Sequence, residues 1–395
     1  MKYSKVYIDA IGYELPPVVV TTAELEARLG ALYEALRIPQ GQLQALTGIA
    51  ERRWWDEGYS LSDGAIAAGR HALDNCDVRA KDLDVLIYAG VCREMFEPAT
   101  ACKVAAGLSV GPDTAVYDLS NACLGVLNGM VDVANRIELG QARAGLVVSC
   151  ETSREINDIM IERMLHTRSM EMFRTSLATL TGGSGAVAVL LTDGSFSNRD
   201  RRRLVGGATQ AAPQHHSLCR WGIEQVVAPL AARGIESLKP MAARGIETVM
   251  PLATRGYETV MPIAARTLET VMPLAARQFS QYMTTDSVAV LKHGVELGQR
   301  TWSRLMGRLD WRKELVDKVI CHQVGSGHRE TVLKTLGIDA SKDFSTYEYL
   351  GNIGTVSLPL TAALAEEREF LRPGDRVGFL GIGSGLNCMM LGLEW

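Results

Sequence analysis

The chain has 395 residues, 47% of them hydrophobic, with 41 Lys and Arg against 45 Asp and Glu. That length and composition describe a folded chain with a sizeable core and exclude a largely disordered one. A formal net charge of −4 excludes a general nucleic-acid binder, which presents a basic surface. No apolar run reaches the roughly 18 residues needed to predict a membrane-crossing helix.

In chain order, the first sixteen residues, Met1–Pro16, read as a strand and turn, with no leader-like apolar stretch. Ser62–Asn75 reads as a helix, and Val85–Gly90 (VLIYAG) as a buried strand. Leu124–Leu139 is a second helix, with Leu127, Met130, Val131 and Ala134 on one face. Gly145–Cys150, Gly185–Leu191, Val316–His322 and Arg376–Leu380 are further strands. Alternation of this kind predicts an α/β layered fold. The eight cysteines form no CxxC pair, so neither a zinc ribbon nor a thioredoxin-like motif is present. Scattered cysteines predict a reducing, cytoplasmic setting in which one can serve as a nucleophile.

Residues 222–277 are unlike the rest. Prolines recur at 229, 240, 251, 262 and 273 and arginines at 233, 244, 255, 266 and 277, an 11-residue period. At 100° per residue, Ile246, Val249, Met250, Leu252 and Ala253 fall on one side, while Glu247, Thr248, Pro251 and Arg255 fall on the other. This predicts a proline-punctuated amphipathic helical insert resembling apolipoprotein repeats. Three readings stand for it: contact with a lipid surface or acyl chains, a packed helical layer or partner contact, or a repeat expansion with little role.

Five motifs carry chemistry. Glu97, in REMFEPAT, follows the Val85–Gly90 strand. Cys123, in YDLSNACLGVLNGM, sits where a strand hands over to a helix, and there the helix dipole favours a thiolate. His322, in KVICHQVGSGH, lies at a strand's C-terminal end, where α/β sheets bind ligands. Asn352, in YLGNIG, occupies a Gly-bounded turn before a helix, and its amide can donate to a thioester oxygen. Gly378–Leu391 (GFLGIGSGLNCMML) reads as a Gly-rich loop after a strand, able to present backbone N–H groups to an anion. Taken singly, each admits a structural role: a buried cysteine, a satisfied core histidine, an ordinary turn, a solvated carboxylate.

Taken together, the order Cys, His, GN-type Asn and C-terminal Gly-rich loop resembles the thiolase superfamily, and in particular the ketoacyl synthase III-like condensing enzymes. The resemblance extends to TGIAERR at Thr47–Arg53 and GGSGA at Gly182–Ala186. Glu97, 26 residues before Cys123 in an EPAT context, makes the chain most similar to the OleA type, which joins two long-chain acyl-CoAs. The resemblance implies a thiolase fold, a duplicated five-layered αβαβα arrangement, with an N-terminal half over 1–200, a C-terminal half over 201–395 and an insert at 222–277. It implies that Cys123 carries the acyl group and that His322 and Asn352 polarise the second thioester. It further implies that backbone N–H groups of Cys123 and of the loop at Ser384 and Gly385 hold the other oxyanion, and that Glu97 removes an α-proton across a homodimer. Fatty acyl-CoA is then the substrate, with no metal or organic cofactor and no nucleic-acid partner; a lipid or membrane surface could be met through 222–277. The alternative implied by the same superfamily is a decarboxylating 3-oxoacyl-ACP synthase III-like enzyme using malonyl thioesters.

Overall fold

A computed structural model describes residues 1–196, 202–227 and 277–395. The repeat region from 228 to 276 therefore lies outside the described residues. The ends of the expected helical insert are strand instead: Gly222–Val227 belongs to β9 (Cys219–Val227), and Arg277 opens β10 (Arg277–Thr285), which pairs with it. The chain divides into a large unit, 1–220 with 283–395, and a smaller one, Trp221–Tyr282. Within the smaller unit, Trp221 Nε1 donates to Gln281 Oε1 across the ribbon at 3.0 Å.

The large unit is built on one nine-stranded sheet. In chain order its strands are β1 (Tyr7–Glu14), β4 (Val85–Ala89), β5 (Ala115–Leu119), β6 (Ala144–Glu151), β7 (Gly185–Thr192), β8 (Arg202–Ala211), β11 (Lys318–Cys321), β12 (Arg376–Gly383) and β13 (Asn387–Glu394). A separate small ribbon is formed by β2 (Val18–Thr21) and β3 (Glu51–Trp54). The sheet order is β11-β12-β13-β8-β1-β7-β6-β4-β5.

That order contains the duplication. In the first half, β4 is parallel to β5 and β6, while β7 is antiparallel to β6 and β1. In the second half, β11 is parallel to β12, and β13 is antiparallel to β12 and β8. The counterpart of β5 survives there as one parallel bridge between Val319 and Asp343. The halves meet where the first residues of the chain and β1 run antiparallel to β8, with Tyr7 paired to Arg203, Ile8 to Arg202 and Lys2 to Gly206.

Side-chain alternation explains the layering. Val187, Val189 and Leu191 of β7 and Phe379, Leu391 and Leu393 of β12 and β13 join one core. The helices Gly125–Glu138 and Ser357–Glu367 fill it, through Met130, Val133, Leu358 and Leu360 among others. Both half-sheets thus cover the same central pair of helices. Outside, helix Leu61–Asp74 packs on β1, β6 and β7, and helix Ser287–Leu309 packs on β8 and β13. The expected α–β–α–β–α succession results.

Two sequence expectations need correction. The strand read at Val316–His322 is shorter, Lys318–Cys321, because a 3-10 turn at Lys313–Leu315 precedes it; His322 falls just past its end. The Gly-rich "loop" is mostly sheet: β12 runs through Gly383 and β13 begins at Asn387, so only Ser384–Leu386 turns. Glycine there serves packing. A Cβ on Gly381 would stand 2.7 Å from Leu124 Cδ2, so the strand needs glycine to let that side chain in.

Candidate active site

The nucleophile candidate sits at a strained corner. β5 ends at Leu119 and the helix begins at Gly125. Between them Ala122 has φ 45°, in the left-handed region that non-glycine residues rarely enter. Such a residue costs on the order of 1–3 kcal/mol and must be held by its surroundings. The hold is visible. Leu124 N–H donates to Asn121 O at 2.9 Å, Asn121 Nδ2 to Asn128 Oδ1 at 2.5 Å, and Asn387 Nδ2 to Asn121 Oδ1 at 3.0 Å. Asn387 opens β13, so this chain of amides bolts the Cys123 corner to the turn holding Ser384 and Gly385. Gly385 has φ 138°, and a Cβ there would lie 2.6 Å from Asn387 Nδ2. A Cβ on Gly383 would stand 3.4 Å from Cys123 N, so the end of β12 lies against the cysteine's backbone.

Electrostatics correct the expectation of a resting thiolate. Burial, with Cys219 and Glu151 nearby, pushes the Cys123 thiol from 9.0 up to about 12. Alkylation of Cys123 by iodoacetamide should therefore be slow at pH 7 and keep rising above pH 9, followed by mass spectrometry of its peptide. A plateau near neutral pH would contradict this.

His322 comes from the other half of the chain, one residue past the end of β11. Its N–H donates to Leu380 O at 2.9 Å, which puts it one strand over from β12, at a spacing of about 4.8 Å. The residue is 5% exposed, and its Nδ1 has no protein partner among the described residues. Burial, then the nearby His328, pulls its pKa down to about 3, so the ring is neutral at working pH. Gln323 fixes the backbone that follows: its Nε2 donates to Cys321 O at 2.7 Å, and its Oε1 accepts from Thr346 and Tyr347 N–H at 3.0 and 3.2 Å. Those residues lead directly to Asn352.

Asn352 is pinned on three sides. Its N–H donates to Thr181 O and its carbonyl accepts from Gly183 N–H, both at 2.9 Å. Its side-chain Oδ1 accepts from Gly354 N–H at 3.0 Å, which leaves Nδ2 to donate. The same loop then caps the helix that follows Cys123: Thr355 Oγ1 accepts from Val126 N–H at 2.7 Å, doing from a distance what a local N-cap does. Thr355→Val would strand that buried N–H and should cost about 1–3 kcal/mol in urea unfolding; unchanged stability would refute the cap.

Beneath these loops lies Glu151, 4% exposed, at the end of β6. It accepts from Val91 and Cys92 N–H at 2.9 and 3.0 Å, and its Oε1 is 3.7 Å from where a Cβ on Gly354 would be. Sequence reasoning passed over Glu151, Thr355, Gln323 and the Asn121–Asn128–Asn387 chain. Thr355, Gln323 and the three asparagines lie within or beside the motifs, whereas Glu151 lies outside all of them.

Glu97 is not gathered in. It is exposed on the segment between β4 and helix Thr100–Leu108, beside Met95 at 48% and Phe96 at 92% exposure. Among the described residues no hydrogen bond ties its side chain to the Cys123 cluster. A cleft of about 590 Å³ opens elsewhere on the large unit, lined by Gln42, Leu46, Arg37 and Arg174 among others.

Twin half-sheets, the first delivering a cysteine at a helix start and the second a histidine and an asparagine, define a condensing enzyme of the thiolase superfamily. Residues 306–395 match the family model for the C-terminal part of 3-oxoacyl-[acyl-carrier-protein] synthase III. Over its whole length, and the whole of theirs, the chain is 50% identical to an acyl-CoA:acyl-CoA alkyltransferase of Shewanella oneidensis and 30% identical to one of Xanthomonas campestris. A crystal structure of Xanthomonas campestris OleA superposes with a TM-score of 0.82, covering 100% of this chain and 98% of that one. The chain belongs to the acyl-CoA:acyl-CoA alkyltransferase (OleA) family. The Xanthomonas protein has been solved with single substitutions at a cysteine, a glutamate and a histidine, and with lauric acid and lauroyl-CoA bound. Its substituted glutamate precedes its substituted cysteine by 26 residues, the interval from Glu97 to Cys123. Its substituted histidine follows the cysteine by 142 residues, whereas His322 follows Cys123 by 199, the excess being close to the length of the repeat region.

Proposed function

We propose that this chain condenses two fatty acyl-CoAs without decarboxylation, giving a 2-alkyl-3-oxoacyl-CoA and one free CoA. The observation that carries this reading is Glu97 at the same 26-residue interval from its cysteine as in the relative, since a decarboxylating synthase needs no such base.

The sulfur of Cys123 attacks the thioester carbonyl of the first acyl-CoA. The C–S bond to CoA breaks, and the thiol proton ends on the departing CoA sulfur. Because the thiolate is the attacking form, the Cys123 proton leaves as the C–S bond forms; it ends on the CoA sulfur, so the net charge of the site is unchanged. Backbone N–H groups of Cys123 and of the turn at Ser384 and Gly385 hold the oxyanion.

The second acyl-CoA places its thioester oxygen on His322 and on Asn352 Nδ2. Both donors are neutral. Glu97 of the partner subunit takes the α-proton, and the enolate oxygen collects its charge between those donors. The α-carbon attacks the acyl-Cys123 carbonyl, the C–S bond breaks, and Cys123 regains a proton equivalent to the one lost to Glu97. The chemistry uses only side chains and CoA thioesters.

Incubation with a single fatty acyl-CoA and no malonyl thioester tests this. Mass spectrometry should find the condensed β-keto product; its absence, with product restored by malonyl thioester, would return the chain to the decarboxylating synthases.

A further inference from the structure

Glu97 stands on a segment with little cover of its own, and its neighbours Met95 and Phe96 face solvent. Such a segment would normally sample many positions, yet a base must sit within hydrogen-bond reach of its proton. The structure shows what holds it. Three residues before Glu97, the Glu94 side chain folds back into the protein, only 13% exposed. Its Oε1 accepts from Ser60 Oγ, from Ser62 Oγ at 2.8 Å and from Ser62 N–H at 3.2 Å. Lys103 Nζ lies 3.2 Å from Oε2 and also donates to Ser60 Oγ at 3.0 Å.

The placement has a physical reason. Ser60 is the N-cap residue of helix Leu61–Asp74, yet its own side chain makes no cap. The Glu94 carboxylate takes that place, accepting an otherwise orphaned amide of the first turn where the helix dipole favours negative charge. This helix packs on β1, β6 and β7, so Glu94 fastens the Glu97 segment to the rigid centre of the first half. Burial alone would raise its pKa. The hydrogen bonds from Ser60, Ser62 and Lys103 win and bring it down to about 2, so the anchor stays charged across the working range. The segment's two ends are held likewise. Glu151 takes Val91 and Cys92 N–H, and Asp118 takes Thr100 and Ala101 N–H at 3.0 and 2.8 Å.

We infer that Glu94, clamped by Ser60, Ser62 and Lys103, is a positioning residue that holds Glu97 at the height and angle needed to reach the second acyl chain. The inference rests on the reading of Glu97 as the base. It adds that the base's aim is set inside its own protomer, before any partner or substrate is met. A shift of about 1 Å at such a distance from the chemistry can cost up to a hundredfold in rate.

Glu94→Gln, Lys103→Met and Lys103→Arg test it, with Glu97→Ala alongside. Two rates are followed from one acyl-CoA: acylation of Cys123 by intact-protein mass, and formation of condensed product. Glu94→Gln and Lys103→Met should acylate at the normal rate and condense about tenfold slower or worse. Lys103→Arg, which keeps the cation, should condense nearly normally. A structural defect would slow both steps together; equal loss of acylation and condensation in Glu94→Gln and Lys103→Met overturns the inference. So does normal condensation in both while Glu97→Ala is inactive, and in that case the base survives without its anchor. Normal condensation by Glu97→Ala removes the base, and the anchor's role with it.

Discussion

Glu97→Ala should lose condensation by about 10²–10⁴-fold, the usual contribution of a positioned general base, while Cys123 is still acylated at the normal rate. The two half-reactions separate because they use different groups. Acyl transfer needs the sulfur of Cys123 and donors to one oxyanion. Carbon–carbon bond formation also needs an α-proton removed from a thioester, and the buried carboxylate Glu151 has both oxygens occupied by backbone amides. Intact-protein mass spectrometry reads the acyl-enzyme, and product analysis reads condensation. Deuterium uptake at the α-carbon of the second acyl-CoA in heavy water isolates the proton transfer itself. If the alanine variant condenses at the normal rate, or loses acylation as well, the division of labour is wrong.

Asn352→Asp is expected to cut condensation by about 10²–10³-fold, the loss typical of one oxyanion donor. It is a sharper probe than alanine. Aspartate can still accept from Gly354 N–H, which holds Asn352 Oδ1 at 3.0 Å, so the loop should keep its shape. What changes is the other end of the side chain. A donor aimed at the thioester oxygen becomes a carboxylate oxygen, which repels an enolate. Far-UV circular dichroism and urea unfolding should be close to those of the parent protein, while the condensation rate falls. A large loss of stability instead would mean that the amide nitrogen serves the fold.

The sequence was most legible where one strand or helix decides the matter by itself. The strands at Val85 and Gly185 and the helix after Leu124 follow from local apolar patterning, and the structure has them within a residue or two. Cys123 at a strand-to-helix corner was readable for the same reason. The Gly-rich C-terminal stretch is sheet rather than loop, because Gly381 and Gly383 of β12 answer to Leu124, a residue more than 250 positions away whose packing no local pattern records. The protonation of Cys123 was misjudged because a helix terminus is visible in the chain, whereas burial depends on everything that closes over the sulfur.

By itself, then, the sequence determined the alternating elements, the chemical identity of Cys123, His322, Asn352 and Glu97, and the family these residues point to. The tertiary structure alone decided how they are held: Thr355 capping the nucleophile's helix from the other half, Asn387 bolting the corner at Asn121, and Glu94 tying down the segment that carries Glu97. Each of these is a hydrogen bond between residues far apart in the chain or on different elements. Such bonds leave no periodicity to read, because their partners are fixed only once the two half-sheets have closed on the helices between them.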